Sequence, residues 1–112
     1  MKTIAAPDPD TRTPTFNAPP GSCDTHCHVF GPADVFPFSS NRKYTPPDSP
    51  KASLRKLHET LGIDRAVIVQ ASCHGVDNRA MLDAIADSGG NYRGVCNAAD
   101  DFSADEFARL HE

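Results

Sequence analysis

The sequence predicts an α/β protein: about three βα units, forming the N-terminal part of a (β/α)8 barrel. Three observations point there. Short apolar, β-branched runs alternate with helical stretches in the order β-α-β-α-β-α, the pattern of parallel strands joined by right-handed crossovers. No glycine-rich G-x-G-x-x-G turn follows the first strand, so the dinucleotide-binding form of an open sheet has no support. The polar residues able to do chemistry, His26, His28, Ser72 and His74, fall at the C-terminal ends of strands, where barrel active sites are built. A closed barrel needs about 250 residues. The chain has 112, so the expectation is a partial barrel over residues 21–112, truncated at its C-terminus, behind a proline-rich arm over residues 1–20.

The arm holds five of the ten prolines, whose fixed φ and missing N–H exclude a helix or a central strand. It should run extended over the surface or lack order. It contains no apolar stretch of seven or more residues, so it reads as neither signal peptide nor membrane span, and a cytoplasmic location is expected.

From Gly21 onward, SCDTHCHVF reads as a strand bounded by Gly21 and by Gly31-Pro32. The connection GPADVFPFSSNRKYTPPDSP is too long for an ordinary βα loop, and loops of that length in compact domains are often functional. Ser49 as N-cap and Pro50 as first helical residue open PKASLRKLHETLG. In it Leu54, Leu57 and Leu61 share one face, and Gly62 can end the helix. RAVIVQAS lacks polar alternation, as a parallel strand buried on both faces does, and ends near Ser72. Asp77 can cap NRAMLDAIADS, in which Met81, Leu82 and Ile85 form the apolar stripe and Gly89-Gly90 the stop. YRGVCNA is the third strand, and Ser103 to Glu106 (SADE) is a capping box opening the last helix.

With 38% hydrophobic and 23% charged residues, the composition supports a core and argues against disorder throughout. The net charge of −4, with no basic run, offers no electrostatic footprint for nucleic acid or an anionic membrane. The four cysteines, Cys23, Cys27, Cys73 and Cys96, form no C-x-x-C pair and are expected to be buried free thiols.

Side chains alternate across a strand, so Asp24, His26 and His28 are expected on one face and Cys23, Thr25 and Cys27 on the other. Two imidazoles on one face lie about 6.5–7 Å apart along the strand, close enough to converge on one metal ion or one substrate oxygen. Hydrogen-bonded core histidines are the competing reading at this level.

The run DTHCHVFGP, followed by FPFSSNRKYTPPDSP and then VIVQASCHGVDN, resembles the start of the amidohydrolase superfamily, in its amidohydrolase-related branch. Within that branch it is most similar to the lactonases that open 2-pyrone-4,6-dicarboxylate in bacterial breakdown of lignin-derived aromatics. The resemblance covers nearly everything from Gly21 to Glu112. It implies a (β/α)8 barrel in which His26, His28 and Tyr44 polarise a lactone carbonyl, with Ser72 and His74 near the substrate's ring or carboxylate. Most members of the superfamily hold a divalent metal on such a pair, whereas the lactonase branch is understood to work without one. The expectation is therefore no cofactor, with His26 and His28 as ligands of zinc or manganese in the alternative. The partner implied is a small-molecule dicarboxylate lactone, with no nucleic acid and no membrane; oligomeric state stays open. The family's water-activating aspartate, a further histidine and its carboxylate-clamping arginines would lie past Glu112, so this chain alone is expected to be inactive. A metal-dependent hydrolase or decarboxylase of the superfamily, or a non-catalytic αβ module, remains as an alternative.

Overall fold

The computed structural model describes residues 1–111. In chain order its elements are β1 (Lys2–Thr3), β2 (Cys23–Cys27), β3 (Tyr44–Thr45), α1 (Lys51–Leu61), β4 (Arg65–Val69), α2 (Arg79–Ala86), β5 (Tyr92–Val95) and α3 (Ala104–His111), with one 3-10 turn at Ser72–His74. Strands β2, β4 and β5 make a parallel sheet in that order, with the βαβ alternation the sequence predicts. None of the described helices is long and apolar enough to cross a membrane.

The core is one-sided. Ala66 and Ile68 of β4, with Cys27 and Tyr92 on the flanking strands, pack against Leu54 of α1 and Ala80, Met81 and Ala84 of α2. Both helices therefore cover the same face of the sheet. On the other face Val67 and Val69 are only half-buried and Val95 is 51% exposed. The expectation that β4 is buried on both faces is corrected accordingly: its residues alternate, because among the described residues both packed helices lie on one side.

Two helix starts differ from the sequence reading. Ser49 is not a cap; its backbone exchanges hydrogen bonds with Phe30 at 3.0 and 2.8 Å, pinning the long loop to the end of β2. Pro50 becomes the N-cap, and its carbonyl accepts the N–H groups of Ser53 and Leu54. Asp77 lies one residue before the N-cap Asn78, yet its Oδ1 still accepts the Arg79 N–H at 3.2 Å. Asn78 uses its own side chain elsewhere, exchanging hydrogen bonds with the Asn97 backbone after β5. Gly62 ends α1 as expected, at φ 72°, a conformation that costs a residue with a Cβ. The Ser103–Glu106 capping box forms with both reciprocal bonds, at 2.7 and 3.2 Å.

The N-terminal arm is extended, as its prolines require, but it is not detached. Its first residues pair in parallel with the long loop, Lys2 opposite Tyr44 and Thr3 opposite Thr45. Farther along, the Pro9 carbonyl accepts a hydrogen bond from Lys56 of α1 at 3.2 Å.

Gly94 sets how closely α2 approaches β5. A Cβ there would come within 2.7 Å of Ile85 Cδ1 and 2.8 Å of Met81 Sδ. Gly94→Val should therefore destabilise the fold by about 1–3 kcal/mol through overpacking. Thermal unfolding of the two proteins checks this, and an unchanged midpoint would show that α2 does not rest on β5 in this way.

Candidate active site

β2 does not keep strict alternation. Cys23 and Asp24 pair with Arg65 and Ala66, but Cys27 pairs with Ile68, so three steps on β2 match two on β4. This bulge places Asp24 and Cys27 together on the side of α1, which corrects the expectation that Asp24 shares a face with His26 and His28. The two histidines do lie together. Their rings are 5.2 Å apart and edge to face, and both residues are exposed.

A hydrogen bond orients His28, its Nδ1 lying 2.8 Å from the carbonyl oxygen of Val69 at the end of β4. A carbonyl only accepts, so Nδ1 carries the proton and Nε2 is left to face a ligand. Tyr44, from the long loop, comes to the same end of β4, where its phenol lies near the Ser72 hydroxyl and the Cys73 thiol. Burial pushes the phenol above its ordinary value, so Tyr44 is a neutral donor. His28 thus meets the last residue of β4 and Tyr44 the turn that follows it, where Ser72 is exposed and Cys73 buried.

His74 is placed differently. It is 2% exposed, and both its ring nitrogens are engaged internally. Nε2 accepts the Gly31 N–H at 3.1 Å and Nδ1 donates to the Pro37 carbonyl at 3.3 Å. That pattern needs a neutral ring, and burial pushes its pKa down, outweighing the Pro37 carbonyl and the charges of Asp77 and Asp48. His74 ties both ends of the Gly31–Pro37 stretch to the turn after β4.

The sequence reading did not single out His58. It is buried on α1, with Nε2 3.0 Å from Asp24 Oδ2 and Nδ1 3.2 Å from the Tyr92 hydroxyl. The available signal was its position, four residues after Leu54 and three before Leu61, inside the apolar stripe. Partial burial pushes the Asp24 carboxyl up, but hydrogen bonds from His58 and the His26 N–H, with their charges, leave it below its ordinary value. Asp24, Cys27 and His58 are also the group with metal-ligand spacing among the described residues, their ligating atoms lying within 4.8 Å of one another. Burial, with the charges of Asp24 and Cys23, pushes the Cys27 thiol up to about 12. It remains a thiol, 3.5 Å from the Val67 carbonyl, rather than a thiolate ready for a metal. Of the four free cysteines, Cys27 and Cys73 are buried as expected and Cys23 and Cys96 are exposed.

A family model described as amidohydrolase matches residues 23–112. The chain belongs to the amidohydrolase family. It is 52% identical over 99 residues to 2-pyrone-4,6-dicarboxylate hydrolase of Comamonas testosteroni, a match covering 88% of this chain and 32% of that protein. It is 45% identical over 95 residues to 4-sulfomuconolactone hydrolase of Hydrogenophaga intermedia, covering 85% and 31%. Among solved structures it resembles a probable 2-pyrone-4,6-dicarboxylic acid hydrolase of Acinetobacter baumannii with citric acid bound (TM-score 0.73, 25% identity, 81% of this chain and 34% of that one). A protein of Agrobacterium tumefaciens in its apo form is similar too (TM-score 0.71, 27% identity, 88% and 36%). This amidohydrolase chain therefore spans about a third of the length of its curated relatives.

The buried neutral His74 gives stability a pH dependence. An unfolded chain protonates this residue near pH 6.5, whereas the fold holds it neutral below that. Stability that is complete above pH 6.5 is lost progressively as pH falls through 6.5 toward the lower folded value. Urea unfolding about one pH unit above and about one below that point should give a lower midpoint on the acid side. His74→Gln should flatten this difference; an equal slope in the variant would mean that His74 is not its source.

Proposed function

We propose that this chain supplies the first three βα units of a (β/α)8 barrel hydrolase that opens a lactone ring. The single observation carrying the reading is the arrangement at the end of β4, where His28 is held by Val69 O and the Tyr44 phenol comes near Ser72, with His26 edge to face on His28. The barrel is supported by parallel strands in sequential order with both packed helices on one face. The substrate class is supported by the relatives' names, both of which denote hydrolases of lactones bearing acidic groups.

In this reading water adds to the lactone carbonyl carbon, and the carbonyl electron pair moves onto oxygen. Collapse of the tetrahedral intermediate then breaks the ring C–O bond, and the released oxygen takes a proton. His26, His28 and Tyr44 aim hydrogen bonds at the oxygen where negative charge develops, which is where a preorganised donor lowers the barrier. With Nδ1 committed to Val69, His28 donates from Nε2 only as the imidazolium. Ser72 orients Tyr44 and contacts the substrate's ring or carboxylate, whereas His74, sealed inside the loop, acts by shaping that loop. The ligand is a small-molecule dicarboxylate lactone, no cofactor is required, and the free thiols suit a cytoplasmic setting.

The His28 contact also favours a second reading. A metal-ligating histidine usually donates its other ring N–H to a carbonyl or carboxylate, as His28 does to Val69. His26 and His28 would then hold a divalent ion such as zinc or manganese, which when bound would supply Lewis-acid polarisation of the carbonyl.

Both readings are tested on a natural polypeptide that contains this chain, with 2-pyrone-4,6-dicarboxylate as substrate. Tyr44→Phe keeps the ring and removes one donor, so kcat should fall about 10²–10³-fold with little change in KM. Rates equal within about threefold, ~0.6 kcal/mol, would take Tyr44 out of the site. Dialysis against a chelator should leave the rate unchanged; loss of activity restored by zinc or manganese would replace the first reading with the second.

A further inference from the structure

The bulge in β2 leaves a backbone group to be accounted for. Where three steps on one strand face two on its neighbour, the inserted residue drops out of the ladder and its N–H needs another acceptor. Here the acceptor is Asp24, whose Oδ1 lies 3.2 Å from the His26 N. The other carboxylate oxygen is held from behind the sheet by His58 of α1, at 3.0 Å. His58 is held in turn by the Tyr92 hydroxyl of β5 at 3.2 Å, and the two rings pack edge to face at 5.9 Å.

Three elements, β2, α1 and β5, thus meet at one imidazole that is 2% exposed. An apolar side chain would fill this place in the Leu54–Leu61 stripe without any need for partners. A buried imidazole is costly unless its nitrogens are bonded, and here both are. Its two bonds lead through Asp24 to the backbone of His26. The direction in which His26 leaves the strand, and so its meeting with His28 on the front face, depends on the bulge that Asp24 satisfies.

We propose that Asp24, His58 and Tyr92 are positioning residues: a chain behind the sheet that locks the β2 bulge and so fixes His26 against His28 on the front. The inference rests on the reading of His26 and His28 as the groups that act on substrate. Its structural half can be measured without any turnover.

The experiment uses a natural polypeptide containing this chain, and its variants His58→Leu, His58→Gln and Asp24→Ala. The first readout is the imidazole nitrogen–proton NMR spectrum. In His58→Leu the His26 and His28 signals should move while those of His74, anchored separately to Gly31 and Pro37, stay in place. The second readout is lactone hydrolysis. His58→Leu should lower kcat between about tenfold and a hundredfold, the range expected for a misplaced group, with KM within about threefold. His58→Gln, whose amide can donate to Asp24, should return kcat to within about threefold of the parent. If His58→Leu does not fold, Asp24→Ala carries the same expectations, because it removes both the acceptor for the His26 N–H and the partner of His58 Nε2.

Unmoved His26 and His28 signals in a folded variant would overturn the proposal, as would unchanged kcat or a glutamine that does not restore it. Zinc bound by the parent, kept by His26→Asn and lost by His58→Leu, would also overturn it and make Asp24, Cys27 and His58 a metal centre. Should the parent hydrolyse no lactone, the functional reading fails, and the NMR readout still decides whether these residues position the histidines.

Discussion

One extra residue in β2 decides which side chains belong to the core and which to the site. Without the bulge, pleating would send Asp24, His26 and His28 to the same face and would carry a carboxylate in among the imidazoles. With it, Asp24 and Cys27 turn toward α1 while His26 and His28 stay on the face that carries no helix among the described residues. A carboxylate beside the histidine pair would compete with the anionic lactone proposed as its ligand. Placed behind the sheet, the same carboxylate instead satisfies a backbone N–H and an imidazole N–H. The bulge therefore separates a buried polar network from the exposed histidine pair across the thickness of a single sheet.

The loops extend this division. Each group proposed for chemistry is held at one point and left free at another. His28 is fixed through Nδ1 to Val69, and Tyr44 is fixed through its backbone pairing with Lys2, with its phenol near Ser72. The long connection between β2 and α1 is not slack, because its ends are joined by the Phe30–Ser49 exchange and its middle by His74 and the Ser39 N–H to Cys73 carbonyl bond at 2.7 Å. A loop so tied can present a phenol with little ordering cost on binding, which is what preorganisation requires. The N-terminal arm contributes to the same end, since its first residues form the partner strand for Tyr44 and Thr45.

The features legible in the sequence were those set by neighbours along the chain. The Gly62 stop, the Ser103–Glu106 capping box and the βαβ order each follow from residues within a few positions of one another. The features that were not legible depend on distant partners. The bulge arises from register against β4, some 40 residues away, and polar residues in a strand do not announce it. Pairing of Lys2 with Tyr44 joins two-residue segments too short to carry a periodic signal. His58 was hidden because a helical stripe reads as apolar packing, and only the position of Asp24 and Tyr92 in space reveals an imidazole bonded at both nitrogens. His74 stood at the correct strand end for chemistry, but its tautomer and burial are set by Gly31 and Pro37, about 40 residues upstream by the loop they close.

Three of the histidines, His74, His58 and His28, show how one side chain is given different work by its partners. His74 faces an N–H donor on one side and a carbonyl on the other, so it is held neutral and acts as a strut. His58 faces a carboxylate at Nε2 and a hydroxyl at Nδ1, so both ring nitrogens are bonded and the ring is held in place. His28 faces a carbonyl on one side only, which settles Nδ1 as a donor and leaves Nε2 to the ligand. A free Nε2 donates when protonated and accepts or ligates when it is not, so the same anchored ring serves direct carbonyl polarisation or metal ligation without moving. The backbone contact at Val69 thus fixes the aim of His28, while the occupant of the face in front of it determines which chemistry that aim supports.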